Sequence, residues 1–271
     1  MSMNPLRIEQ MTIFDVEPAE VVTIAEELGV PMISLWVSDG MDGARPVTAA
    51  NKRTVLERLR DSPVVLDTVE AFMLSRDPRK AEAGIALAAE LGARAIVAIN
   101  LATADDAAAA QQFADLCALA NGYGLLVSLE PISMGVTRTP ADGLRIVRQS
   151  GAANARLTID LLHVVRTATP LSDVAAIEPG LFGSVQICDG PMHIAEKDRI
   201  DEAGFSRMEP GSGSFPVQEF LRVIPPWVPV GLEVPLRGLR EGGMTARERT
   251  RRVVEATRAL QRKVANETAQ G

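Results

Sequence analysis

Leu125-Leu-Val-Ser-Leu-Glu130-Pro131, Leu157-Thr-Ile-Asp160, Ser184-Val-Gln186-Ile-Cys-Asp189 and Val230-Gly-Leu-Glu233-Val-Pro235 share one pattern. Each is a short apolar run that ends on an acid or amide. Apolar runs of this length suit strands covered on both faces, as in a parallel sheet. Four more runs precede or interleave with them: Leu6–Phe14, Met32–Trp36, Val64–Val69 and Ala95–Asn100; the seventh strand is read over Phe182–Cys188 and the eighth over Val230–Val234.

Helical patterns separate the runs, at Pro18–Leu28, Thr48–Arg60, Pro78–Leu91, Thr103–Asn121, Pro140–Gln149, Pro216–Val223 and Thr245–Asn266. The crossover near Leu171–Ile177 is short. Leu28-Gly29 and Leu91-Gly92 read as helix ends leading into strands. Strict strand and helix alternation implies right-handed βαβ units. Eight units with no Gly-rich dinucleotide fingerprint favour a closed α/β fold, a single (β/α)8 TIM barrel over residues 1–271. Such barrels run to roughly 250 residues, and the 271 residues here, 46% apolar, can fill one. The longest stretch read without structure is Asp189–Ser214; a loop of that length inside a barrel points to function.

The net charge of −7 argues against nucleic acid and against an anionic membrane surface. Cys117 and Cys188 stand in a helix and a strand and do not form a disulfide framework. No basic segment followed by an apolar run opens the chain, and no apolar stretch approaches about 18 residues. The expectation is a cytoplasmic protein with a small-molecule substrate.

Catalytic groups of such a barrel lie at the C-terminal ends of its strands. Glu130, Asp160, Gln186 and Glu233 would therefore share one mouth. Buried carboxylates converging there must protonate or find a cation. Their hard oxygen donors suit one divalent metal ion, Mg2+ or Mn2+ before Zn2+ or Co2+. A lone acid after a strand is more often a helix cap; four in register are not explained that way. His163, three residues after Asp160, and Arg207, in the loop after strand 7, are further catalytic candidates. Trp36, Asn100, Arg138 and His193 are candidates for binding substrate, through stacking, a hydroxyl contact, an anionic group and proximity to the mouth.

Together Leu129-Glu130-Pro131, Asp160-Leu-Leu-His163, Val185-Gln186-Ile187-Cys188-Asp189, Arg207-x-Glu209-Pro210-Gly211-x-Gly213 and Leu232-Glu233 resemble the xylose isomerase-like barrel superfamily of sugar isomerases and epimerases. The resemblance implies one metal bound by Glu130, Asp160, Gln186 and Glu233, with Glu130 and Glu233 moving protons on either side of an enediolate. The position of Gln186 is often His in that superfamily; Gln also occurs there in relatives resembling hydroxypyruvate isomerase and 3-dehydroshikimate dehydratase. Ser214 stands where an acid is usual. The leading expectation is a metal-dependent isomerase or epimerase of a small keto-sugar or hydroxy-keto acid. The alternative is a lyase similar to 3-dehydroshikimate dehydratase. An apurinic endonuclease is disfavoured by two histidines and an acidic pI; a non-catalytic binding barrel would fail to hold metal. Relatives suggest a homodimer or homotetramer.

Overall fold

Parallel strands β1 (Leu6–Ile8), β2 (Met32–Trp36), β3 (Val65–Met73), β4 (Ala95–Ile99), β5 (Leu126–Glu130), β6 (Ala155–Asp160), β7 (Phe182–Ile187) and β8 (Val230–Leu232) pair in chain order, and β8 closes on β1. The computed structural model describes residues 3–38 and 43–270. The main helices outside are α1 (Pro18–Glu27), α2 (Lys52–Arg60), α3 (Glu82–Glu90), α4 (Asp106–Asn121) and α5 (Pro140–Ser150). There follow α6 (Leu161–Arg166), α7 (Leu171–Ala175), α8 (Arg199–Phe205), α9 (Val217–Val223), α10 (Arg237–Glu241) and α11 (Ala246–Gln270). Among the described residues no helix is long and apolar enough to cross a membrane.

Local chemistry explains the helix starts. Thr139 and Asp142 form a reciprocal capping box ahead of Pro140 in α5. Asp105 accepts a hydrogen bond from the Ala108 amide and caps α4. Gly29 and Gly92 follow α1 and α3 with φ of 61° and 80°, the left-handed geometry read from the sequence.

Three boundaries differ from the sequence reading. The first strand stops at Ile8, and Gln10–Ile13 turns into a 3-10 helix; Thr12 Oγ1 donates to Leu232 O and accepts from Val234 N, tying that turn to β8 instead of a ladder. The third strand runs past Val69 to Met73. The stretch Asp189–Ser214 is not structureless: it carries a 3-10 turn at Glu196–Asp198 and then α8. Arg166 fastens this stretch, donating from Nε to Glu202 Oε2 at 2.7 Å and from its other nitrogens to the carbonyls of Pro191 and Met192.

Alternate residues of a strand share a face, so the ladder register says what lines the barrel. Arg7 pairs with Gly231, Gly231 with Gln186, Gln186 with Asp160, and Thr158 with Ser184. On the other side Ser34 pairs with Thr68 and Trp36 with Glu70. The result is a polar interior. A lower layer of Arg7, Ser34, Thr68, Ser128, Thr158, Ser184 and Gly231 lies beneath a mouth layer that includes Glu9, Trp36, Glu70, Glu130, Asp160, Gln186 and Glu233. The aliphatic core lies largely between the sheet and the helices, on the other face of the strands.

Gly231 is where this interior is tightest. A Cβ there would sit 1.8 Å from Glu9 Oε1 and 3.1 Å from Gln186 Cγ. Overpacking at such a point costs about 1–3 kcal/mol or more. Gly231→Ala is expected to lower unfolding free energy in urea by at least that amount; a variant as stable as the parent would show that Glu9 moves freely.

Candidate active site

Glu130 and Asp160 are the last residues of β5 and β6, Gln186 is the penultimate residue of β7, and Glu233 directly follows β8. All four are buried. Asp160 Oδ1 accepts from the Leu162 amide at 2.9 Å, so it does cap α6; its second oxygen, Oδ2, is left for the mouth. Gln186 Nε2 donates to Glu233 Oε1 at 3.1 Å.

Arg207 reaches this mouth from the far end of the strand-7 loop. Asp189 and Met208 form an antiparallel bridge, as do Ser206 and Leu236, and the Arg207 amide donates to Pro235 O. The Asp189 carboxylate accepts from the amides of Gly190, Gly211 and Phe215. Gly213 packs so closely on that carboxylate that a Cβ would lie 2.3 Å from Asp189 Oδ1. Held this way, Arg207 places Nη1 2.8 Å from Asp160 Oδ2 and Nη2 2.8 Å from Glu233 Oε2, while Nε donates to Ala203 O.

His163 sits one helical turn past Asp160. Its Nδ1 is 3.1 Å from Ser133 Oγ, and its Nε2 is 3.9 Å from Asp160 Oδ2 and 4.0 Å from Glu130 Oε1. Ligand atoms of Glu130, Asp160 and His163 all fall within 4.8 Å of one another, close enough to hold one ion.

The electrostatics separate these groups. Burial, then the charges of Glu233 and Asp160, pushes the Glu130 carboxyl well above the usual carboxylate range. Burial also raises Glu233, to about 8, against the opposing pull of Arg207. Asp160 is as buried, but Arg207 and then His163 outweigh that burial and hold it below its ordinary value. Burial lowers His163 to about 4, leaving it neutral at pH 7.

The other candidates lie elsewhere. Trp36 is buried at the end of β2, beside Glu70 in the ladder. Glu130 pairs with Ile99, so Asn100 falls on the opposite face; its side chain bonds Thr103 and Thr137 Oγ1 and pins two loops. Arg138 Nε donates to Ser133 O, and its own amide donates to the Asp142 carboxylate at the start of α5. His193 is exposed and lines a surface hollow with Val164, Met192 and Arg199.

Two mouth carboxylates escaped the sequence reading. Glu9 was placed inside an overlong first strand, and Glu70 fell one residue beyond a strand ended too early. The Arg7-x-Glu9 and Thr68-x-Glu70 alternation, which repeats Ser128-x-Glu130 and Thr158-x-Asp160, is the signal that identifies both.

A divalent cation fits these residues on their own chemistry. Gln186 Oε1 is fully buried and has no hydrogen-bond partner, an oxygen donor awaiting an acceptor of its lone pairs. It stands with the carboxylates of Glu130, Asp160 and Glu233, whose mutual repulsion Arg207 relieves in part.

The fold recurs widely among solved structures. IolI, solved with a zinc atom, superposes with a TM-score of 0.79 at 15% identity, covering 97% of this chain and 99% of IolI. A xylose isomerase-like TIM barrel/4-hydroxyphenylpyruvate dioxygenase fusion protein gives 0.85 at 20% identity over 99% of this chain, which spans 44% of the fusion. L-ribulose 3-epimerase gives 0.72 at 15% identity over 99% of this chain and 98% of the epimerase. No curated protein sequence matches the chain. The family model described as xylose isomerase-like TIM barrel matches residues 22–263, so the chain belongs to that family.

Proposed function

We propose that the chain is a divalent-metal-dependent isomerase or epimerase acting on a small keto-sugar or hydroxy-keto acid. The observation that carries this reading is the orphaned Gln186 Oε1 beside Glu130, Asp160 and Glu233. Those four residues would hold the ion, Mg2+ or Mn2+ by their oxygen chemistry. When bound, such an ion supplies a Lewis acid for the substrate carbonyl and offsets negative charge developing there.

The chain's own residues move the proton. Glu130, raised by burial and by its acidic neighbours, is a base matched to a weakly acidic carbon. Glu233, with a carboxyl near 8, carries a proton at neutral pH and can deliver it. Loss of the proton beside the carbonyl gives an enediolate; its return on the other face or carbon completes epimerisation or isomerisation. Arg207 is positioned to stabilise the oxyanion. Exposure of that intermediate to bulk water is limited by the burial of every acid around it.

The test is proton exchange. Mn2+-loaded protein incubated with small ketoses in D2O is expected to place deuterium on the carbon next to the carbonyl, read by NMR. A rise of conjugated ultraviolet absorbance with loss of water, and no exchanged ketose, would instead establish the dehydrating lyase. Failure to bind Mn2+ or Mg2+ would remove both.

Mn2+ binding should also depend on pH in a defined direction. Glu233 must lose its proton to accept a metal, so affinity is expected to rise from about pH 6 to about pH 8.5. A flat profile by electron paramagnetic resonance titration would exclude Glu233 as a ligand.

A further inference from the structure

Glu70 is a mouth carboxyl that neither the metal set nor the proton-transfer pair uses. It is buried at the outer part of β3, in register with Trp36. Its hydrogen bonding is weak: Thr68 Oγ1 donates to Oε1 at 3.3 Å. Burial, and then the charge of Glu9, pushes its pKa well above the ordinary value, with Glu233 and Glu130 adding to the effect and Arg7 opposing it. Arg7 is already committed, through Nε to Glu9 Oε1 and through Nη1 to Asp67 Oδ2, each at 2.7 Å. Behind Glu70, Glu9 Oε2 is buried with no hydrogen-bond partner at all.

The mouth is therefore polarised. On the β6 to β8 side stand Arg207, neutral His163 and the proposed ion, a half suited to a carbonyl oxygen and the charge it gains. On the β1 to β3 side stand Glu9 and Glu70, two carboxyl groups with acceptor capacity unused and no cation free to neutralise an anion. Arg138 and His193, the sequence candidates for an anionic group, are held or exposed elsewhere. A substrate bridging the mouth meets a cationic half at its carbonyl and an acidic half at its other end.

We propose that Glu70, backed by Glu9, is a specificity-determining subsite that receives a hydroxyl or ammonium group at the substrate end remote from the carbonyl and turns away a carboxylate or phosphate there. This rests on the keto-substrate reading of the same mouth and narrows it to uncharged or cationic keto-sugars.

Three probes with one carbon skeleton test it: D-fructose, its C6 acid D-fructuronate, and 6-amino-6-deoxy-D-fructose. Binding to Mn2+-loaded protein is measured by calorimetry for the parent and for Glu70→Gln. A like charge near a buried carboxyl costs at least about tenfold in affinity at an effective dielectric near 20. The parent should thus bind fructuronate at least about tenfold more weakly than fructose, and the amine at least as tightly as fructose. Glu70→Gln should shrink the acid penalty to under about threefold and leave Mn2+ affinity unchanged, since the amide keeps hydrogen bonding but not charge. The assignment is overturned if the parent binds the acid as well as fructose, if no probe binds, or if the penalty survives in Glu70→Gln. Mn2+ binding with deuterium exchange but no acid penalty sinks the subsite alone. If Mn2+ does not bind, the metal reading fails instead, and the same ranking on metal-free protein decides the subsite.

Discussion

Glu130→Gln is expected to reduce deuterium exchange into the substrate by about 10²- to 10⁴-fold, the range for removal of a positioned acid or base, while the barrel remains folded. The reasoning starts from burial. Glu130 is buried against Glu233 and Asp160, and its carboxyl is held well above the normal range. An amide has nearly the same shape and no charge, so the substitution removes repulsion without opening a cavity. Melting temperature should therefore stay constant or rise. Mn2+ affinity should fall modestly, because one ligand becomes neutral while Asp160, Gln186 and Glu233 remain. Exchange and metal affinity must be measured on the same preparation. Full exchange with metal still bound would defeat the proton-transfer role of Glu130 even if the ion site is real. Loss of exchange together with loss of all Mn2+ binding would point to Glu130 as a ligand without showing it to be the base.

The four metal candidates were legible because each ends a clear apolar run, and a parallel barrel gives every strand end the same address. Glu130-Pro131 and Glu233-Val-Pro235 mark those ends with prolines, which cannot continue a ladder. Arg207 was legible as a residue type in a turn-rich motif, though its double contact with Asp160 and Glu233 depends on bridges between distant segments, Asp189 with Met208 and Ser206 with Leu236. Asn100 shows the limit of reading strand ends by eye. One residue of register places it on the outer face, and in a ladder one residue exchanges the two faces. Glu70 shows the opposite error. The extra residue at Asp67, where the β2 ladder passes from Leu66 to Thr68, shifts the alternation that periodicity alone would project. His193 and Arg138 were placed by proximity in sequence, which the loops do not preserve.

Arg7→Met is expected to lower unfolding free energy by about 3–5 kcal/mol, the usual cost of leaving a buried partner charge uncompensated. Arg7 has no exposed surface, and it bridges Glu9 at 2.6–2.7 Å and Asp67 at 2.7 Å at the centre of the barrel. Asp67 retains a 3.4 Å contact with the largely exposed Arg94, whereas Glu9 has no other cation beside it in an ion pair. The loss should depend on pH in a stated direction. Arg7 is the charge that opposes the raised pKa of Glu70; without it that pKa rises further. A carboxyl whose folded pKa lies above its unfolded value stabilises the fold below the unfolded pKa and loses that contribution as pH rises toward the folded one. The variant should therefore be closest to the parent near about pH 5 and fall further behind near about pH 8. Urea titrations at both pH values measure the difference. The triple variant Arg7→Met, Glu9→Gln, Asp67→Asn removes the stranded charges along with their partner and should recover most of the deficit. A deficit that grows toward acid pH, or a triple variant no better than the single, would show that Arg7 stabilises the barrel by filling its interior and not by neutralising the acids beneath the mouth.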